Sequence, residues 1–162
     1  MRGTNRPQRR ALLPAISDVD GVSAIEFAIA APFVLVIVLG TCELAMDMLM
    51  DASVQMAAQA ASRYGLTTTA PSNGTRQQQA QAIVNSYLQH WTRLPNTTVS
   101  ITATNYGTYG NVGTGNSTSG MGALGDVVAY SVTLTTPGVT GIPQLFGIGQ
   151  LTFQRNYLVQ NE

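Results

Sequence analysis

The sequence has few of the side chains that enzymes and metal sites need. Its 162 residues include one histidine, one cysteine and no lysine, and only 10% are charged. Asp126 is the one acidic residue between Asp51 and Glu162. A Ser-His-Asp or Cys-His arrangement would have to recruit His90 and Asp126, and nothing in the sequence places a nucleophile near them. We therefore expect neither an enzyme nor a metal or cofactor site.

Charge balance and cysteine content exclude further possibilities. The formal net charge is zero, and no basic patch follows the N-terminal segment, so nucleic acid is not an expected partner. The single cysteine, Cys42, permits no intramolecular disulfide. Thr, Ser, Asn, Gln and Gly are abundant instead, and this composition suits an extracytoplasmic surface kept soluble by hydroxyls and amides.

An apolar stretch over residues 22–42 organises the chain. It contains 21 residues, of which only Glu26 is charged. A helix of about 20 apolar residues crosses the hydrocarbon core of a bilayer. Four arginines precede the stretch, whereas Glu43, Asp47 and Asp51 follow it. Because positive residues stay on the cytoplasmic side, we expect a single span with the N-terminus inside and the chain after residue 43 outside.

A motif joins the basic N-terminal segment to this stretch. Gly21 is followed by four residues and then by Glu26 and Phe27, and Pro32 lies six residues after the glutamate, within a run of Val, Leu and Ile. The pattern resembles the processing site of type IV pilin-like proteins. Over roughly residues 20–45 it is similar to the TadE family, the minor pseudopilins of tight-adherence (Tad) pilus systems.

The resemblance implies that residues 1–21 are a leader, which a prepilin peptidase removes by cutting between Gly21 and Val22. It implies a minor pilin-like subunit in the assembly of a Tad-type adhesive pilus, held in the bacterial inner membrane with a periplasmic C-terminal domain, or incorporated in the pilus. The implied partners are other pilin-like subunits and pilus assembly proteins.

The alternative function is a permanently membrane-anchored extracytoplasmic binding module, which needs no cleavage. A secretory signal fits less well, because Glu26 interrupts the apolar core.

Glu26 itself has two interpretations. A carboxylate in hydrocarbon costs at least about 2.5 kcal/mol, so it needs a partner or access to water. The resemblance implies that Glu26 pairs with the Val22 ammonium of a neighbouring subunit, and that Phe27 shares this docking role. The other interpretation is that Glu26 reaches the cytoplasmic headgroups. We expect Pro32 to kink the helix, because proline removes one backbone hydrogen bond.

The acidic residues beyond the stretch form a stripe, because Glu43, Asp47 and Asp51 recur at intervals of four residues. Like charges at this spacing repel on a helix. The stripe is either a solvated face or a docking surface for a cationic partner. It does not predict a metal site, since three carboxylates on one helix do not enclose an ion.

The rest of the sequence predicts an α+β fold of the pilin-like kind. A transmembrane and assembly helix over residues 22–65 precedes an exposed domain over residues 66–162. Thr75 and Gln78 form a capping box that begins a second, amphipathic helix ending near Thr92. We expect this second helix to pack on a small antiparallel sheet.

Three segments of alternating apolar and polar residues predict the strands of that sheet. They cover residues 97–105, 126–136 and 150–159. The glycine-rich residues 106–125 predict a long mobile loop. In the connection between the last two strands, we expect Ile142, Leu145 and Phe146 to fold back on the core.

Overall fold

A computed structural model describes residues 19–66 and 72–162. The chain divides into two compact units, residues 1–37 and residues 38–162. Most of the predicted leader, residues 1–18, lies outside the described residues. The described part is an α+β fold with a long N-terminal helix, a second helix and an antiparallel sheet, which confirms the predicted fold class.

The first helix, α1 (Val19–Leu66), contains the whole apolar stretch. Among the described residues, it is the one helix long and apolar enough to cross a membrane, judged by length and composition. The described part of this helix begins at Val19 and so includes the bond between Gly21 and Val22, whereas the sequence predicted a helix over residues 22–65. Pro32 is inside the helix, and the kink expected there stays a prediction.

The sheet has four strands in the order β2-β1-β3-β4, and each neighbouring pair is antiparallel. They are β1 (Thr98–Gly107), β2 (Thr118–Ser119), β3 (Val127–Thr136) and β4 (Leu151–Gln160). The three predicted strands are therefore confirmed, with ends that differ by one or two residues. Alternation located them because successive side chains of a strand point to opposite faces.

The core of the residue 38–162 unit lies between its helices and one face of the sheet. The α1 side of this core is made mostly of alanine. The buried residues include Met50, Val54, Ala57, Ala58 and Ala61 of α1, Ala80, Val84 and Leu88 of the second helix, and Val128, Tyr130, Val132 and Leu134 of β3. The same helix that carries the apolar stretch thus also supplies a large share of the domain core.

The second helix, α2 (Arg76–Leu88), begins at the predicted capping box. Thr75 accepts a hydrogen bond from the Gln78 backbone, and the Gln78 side chain accepts one from the Thr75 backbone. The helix ends at Leu88 and a 3-10 turn follows over Trp91–Arg93, so the predicted end near Thr92 was too late. Pro95 favours an extended conformation at the residue before it, which limits how far helix can continue.

Residues 106–125 contain more regular structure than the predicted loop. They include β2 and a 3-10 turn over Tyr109–Asn111. Side chains hold this segment: the Asp126 carboxylate accepts hydrogen bonds from the Asn105 side-chain amide and from the Ala123 backbone N–H, both at 2.8 Å. Amide and carboxylate groups can replace the backbone pairing that a glycine-rich segment otherwise leaves to water.

The connection between β3 and β4 includes the single-turn helix α3 (Ile142–Leu145). Leu145 and Phe146 are exposed, so the expectation that they fold back on the core was wrong. Pro143 is the buried residue of this turn, and Ile142 is half-buried. One short turn cannot direct successive large side chains to the same side, and here the proline occupies the inner position.

Candidate functional site

The predicted processing and docking residues lie at the start of α1. Val22, Glu26, Phe27 and Pro32 are all exposed. Val22 and Glu26 are four residues apart and therefore neighbours on one helix face. The helix thus places Val22 and Glu26 on one face, and both residues are exposed.

A shallow apolar hollow of about 360 Å³ lies beside these residues. Its lining residues are Phe27, Ala30, Ala31, Val34 and Leu35. Small residues let a second helix approach closely, which is the usual basis of helix packing in membranes. The surface next to Glu26 is therefore suited to a neighbouring apolar helix.

Glu43 follows the apolar stretch directly and is the most buried acid of the stripe, at 3% exposure. Its carboxylate accepts hydrogen bonds from the backbone N–H groups of Val139 at 2.9 Å and of Thr140 at 2.6 Å. The Thr140 hydroxyl donates a third at 2.6 Å. We call this arrangement of Glu43, Val139 and Thr140 the Glu43 clasp. It ties α1 to the connection between β3 and β4.

Two opposing effects determine the ionisation of Glu43, which lies outside the apolar stretch. Burial raises the pKa of its carboxyl group. The hydrogen bonds from Thr140 and Val139 lower the pKa and together outweigh burial, so the pKa lies below its ordinary value. Glu43 is therefore held as a carboxylate.

Gly138 makes room for the clasp. Its φ is +94°, a conformation that favours glycine. A Cβ atom at this position would press on Glu43 Oε1 and would lie 3.1 Å from Pro143 Cγ. The turn after β3 can therefore reach the carboxylate only with glycine at this position.

The other acids of the stripe also face the domain. Asp51 forms an ion pair with Arg155 of β4. Asp47 has a buried Oδ1 without a hydrogen-bond partner among the described residues, and burial, followed by the charge of Glu43, raises its pKa. The solvated-face interpretation of the stripe was therefore wrong, and the cation beside Asp51 belongs to the chain itself.

The sequence contains a signal for the ion pair between Asp51 and Arg155. Arg155 interrupts the inward-facing series of β4, whose other members are Leu151, Phe153, Tyr157 and Val159. A cation in such a position needs an acidic partner from the covering element. The stripe on α1 is the acidic run available, so Arg155 could have been paired with it. The clasp carries no comparable signal, because two of its three donors are backbone N–H groups.

A polar depression of about 580 Å³ lies at the opposite end of the sheet from the clasp. Its walls include Asn105, Tyr106, Asn111 and Asp126. The Asp126 carboxylate is already bonded, and the bond from the Ala123 backbone, followed by that from Asn105, lowers its pKa. Across the described residues, no three His, Cys, Asp or Glu side chains are grouped so that they could hold a metal ion.

These features define a class: an α+β domain joined to one candidate membrane helix, with an exposed acid near the start of that helix. The family model of TadE-like proteins matches residues 21–63, which confirms the resemblance carried by the motif. The match begins at Gly21, includes Glu26 and Glu43, and stops within α1, before the sheet. It suggests a protein associated with the Tad pilus. Comparisons with curated proteins and with solved structures find no match.

Exchanging Glu43 and Asp47 in turn for their amides tests the clasp. We expect Glu43→Gln to lower the free energy of unfolding by about 2 kcal/mol, because it removes hydrogen bonds to a charged group. Asp47→Asn is the matched control and should leave stability unchanged or raise it, since it removes a poorly solvated charge. Urea unfolding of the full chain in detergent micelles, followed by Trp91 fluorescence, measures both. Equal losses for the two variants would contradict the clasp.

The lowered pKa of Glu43 predicts that stability depends on pH, and this dependence should differ between Glu43→Gln and the parent chain. A lowered folded-state pKa means that Glu43 stabilises the fold fully above its unfolded-state pKa, and that this contribution is lost as pH falls through the folded-state pKa. We expect the acid-side loss of stability to be smaller in Glu43→Gln than in the parent chain. Unfolding curves recorded from pH 7 down to acid conditions test this. Parallel pH profiles for the two proteins would exclude a lowered pKa at Glu43.

Alanine substitutions at Gly138 and Gly147 distinguish the effect of the close contact with Glu43 from the effect of a positive φ. Gly138 and Gly147 both have positive φ, at +94° and +76°, but a Cβ at Gly147 meets nothing within 4 Å. A side chain in this conformation costs about 1–3 kcal/mol at either site. Gly138→Ala should be the more destabilising, because it also displaces the Glu43 carboxylate. If urea unfolding shows that Gly147→Ala loses as much free energy of unfolding as Gly138→Ala, or more, the close approach of Gly138 to Glu43 does not require glycine.

Proposed function

We propose that this protein is a minor pilin-like subunit that takes part in assembling a Tad-type adhesive pilus, after a prepilin peptidase removes residues 1–21. The observation that carries the proposal is the match to TadE-like proteins, which begins at Gly21 and includes Glu26 in an otherwise uncharged helix segment. The basic leader and the acids after the stretch favour a cytoplasmic N-terminus and a periplasmic domain at the bacterial inner membrane.

Cleavage requires access to the Gly21–Val22 bond, which lies within the described part of α1, so the chain must leave the helical conformation there. Glycine weakens the helix at that point. The peptidase can therefore extend the chain locally while the rest of the helix persists.

Cleavage creates the cation that Glu26 needs. The new Val22 amine is protonated, so each subunit offers a cation to the exposed Glu26 carboxylate of a neighbouring subunit. In hydrocarbon, an ion pair offsets desolvation only when the charges meet closely. A neighbouring subunit that packs its apolar helix at the Phe27 hollow would bring its Val22 ammonium to Glu26 and exclude lipid and water from the pair. We propose that Glu26 and Phe27 together form the docking surface for other pilin-like subunits.

The alternative function, an anchored binding module, would use the polar depression beside Asn105 and Asp126. That depression is open, and its carboxylate is already bonded within the chain. The alternative also needs no cleavage of residues 1–21. Processing at Gly21 therefore discriminates between the two functions.

Processing is tested by substitution of Gly21. We expect the mature chain to begin at Val22, and Gly21→Leu to block cleavage, because the peptidase must close on an extended backbone beside a small residue. Mass spectrometry of the protein extracted from membranes gives the N-terminal residue. Gly40→Leu is the control: Gly40 lies in the same helix, and a Cβ there meets nothing within 4 Å. A parent chain that begins near Thr41, or that retains Met1, would refute the proposal.

Docking is tested by neutralising Glu26. Glu26→Gln keeps length and polarity and removes the charge, so membrane insertion should be unchanged or improved. We expect normal cleavage, weaker co-purification of other pilin-like subunits, and fewer surface pili. Glu26→Asp retains the charge and should restore part of the association. Normal association and piliation of a fully cleaved Glu26→Gln protein would reject docking and leave the headgroup interpretation of Glu26.

A further inference from the structure

The connection between β3 and β4 exposes an apolar tip. Residues 137–150 contain no charged side chain. Leu145 and Phe146 are 71% and 70% exposed, and Ile148 is 45% exposed. Clustered apolar side chains on an otherwise polar surface mark a site of interaction. We call Leu145, Phe146 and Ile148 the apolar tip.

The Glu43 clasp ties the connection that carries this tip to the end of the apolar stretch. Glu43 is the first residue after the apolar stretch, and its carboxylate holds Val139 and Thr140. At 1.5 Å per residue, the 21-residue stretch is about 31 Å long, which equals the thickness of the hydrocarbon core. If the stretch spans a bilayer, the outer edge of the hydrocarbon therefore lies at Glu43, and the connection that Glu43 binds lies at the membrane surface.

Three consecutive backbone N–H groups of the tip are bonded within the turn. The Phe146 and Ile148 N–H groups donate to the Pro143 carbonyl at 3.1 and 2.9 Å, and Gly147 N–H donates to the Gln144 carbonyl at 3.0 Å. Backbone groups that enter lipid must find partners within the protein. A turn that bonds its own N–H groups and exposes large apolar side chains suits a lipid environment better than water.

We propose that the apolar tip inserts into the interfacial region of the extracytoplasmic leaflet. Lipid is the occupant that the structure favours, because the tip is uncharged and is tied to the residue at which the apolar stretch ends. Insertion gives the exposed domain a second attachment to the bilayer, so that the domain is held close to the membrane before assembly. This inference rests on the proposed function in one respect, that the apolar stretch spans the membrane.

Fluorescence quenching by brominated lipids tests the insertion in the full chain. Trp91→Phe removes the one native tryptophan, and Phe146→Trp places a reporter on the tip. The vesicles contain phosphatidylcholine and phosphatidylglycerol, with bromine on the acyl chains near the headgroups. Tyr109→Trp is the control, because Tyr109 is 58% exposed and lies at the opposite end of the sheet. Val34→Trp reports on the span.

We expect bromolipid to quench Phe146→Trp by at least half and to leave Tyr109→Trp unquenched but open to aqueous iodide. Leu145→Trp should repeat the result, so that the outcome does not depend on one variant. If Val34→Trp is quenched by lipid while both tip reporters respond only to iodide, the insertion is wrong and the span stands. If Val34→Trp is not quenched, span and insertion both fail. Tip reporters shielded only when another pilin-like subunit is added would assign the tip to a protein partner and overturn the proposal.

Discussion

A buried carboxylate and its three donors are the constraint on which the rest of the residue 38–162 unit depends. Glu43 is out of contact with water, and an ion in that position is tolerated only when hydrogen bonds replace its hydration. Val139 and Thr140 supply those bonds, and Gly138 lets them approach. The turn between β3 and β4 is thereby attached to the point at which the apolar stretch ends.

The sequence of α1 changes along its length. Over residues 22–42 it is mostly apolar and exposed, as a surface for lipid or other apolar helices requires. Beyond Glu43 one face is acidic and the buried positions are mostly alanine, with Met50 and Val54, as packing against the rest of the domain requires. The TadE-like match covers both parts of the helix and ends before the sheet. The part of the chain that carries the family signature therefore includes the helix side of the clasp but not its loop side.

Features that depend on neighbouring residues were predicted correctly from the sequence, whereas contacts between distant parts of the chain were not. Alternation located β1, β3 and β4, and the Thr75 capping box located α2, because these signals depend on neighbouring residues. The burial of Glu43 could not be predicted, since its partners are backbone groups almost a hundred positions away. Spacing showed that Asp51 lay on a stripe, but only the packed sheet placed Arg155 beside it. The exposure of Phe146 was missed because an apolar residue in a turn is ordinarily assigned to the core of its own chain.

Amide hydrogen exchange at Val139 and Thr140 tests the central role of Glu43 most directly. Both N–H groups donate to its carboxylate, so the account predicts slow exchange in the full chain and faster exchange in Glu43→Gln, by a factor at least tenfold larger than for amides in the middle of β3. The excess at Val139 and Thr140 is local, whereas general destabilisation alone would speed exchange by the same factor throughout the sheet. Val139 and Thr140 amides that exchange equally fast in the parent chain and in Glu43→Gln would contradict the account.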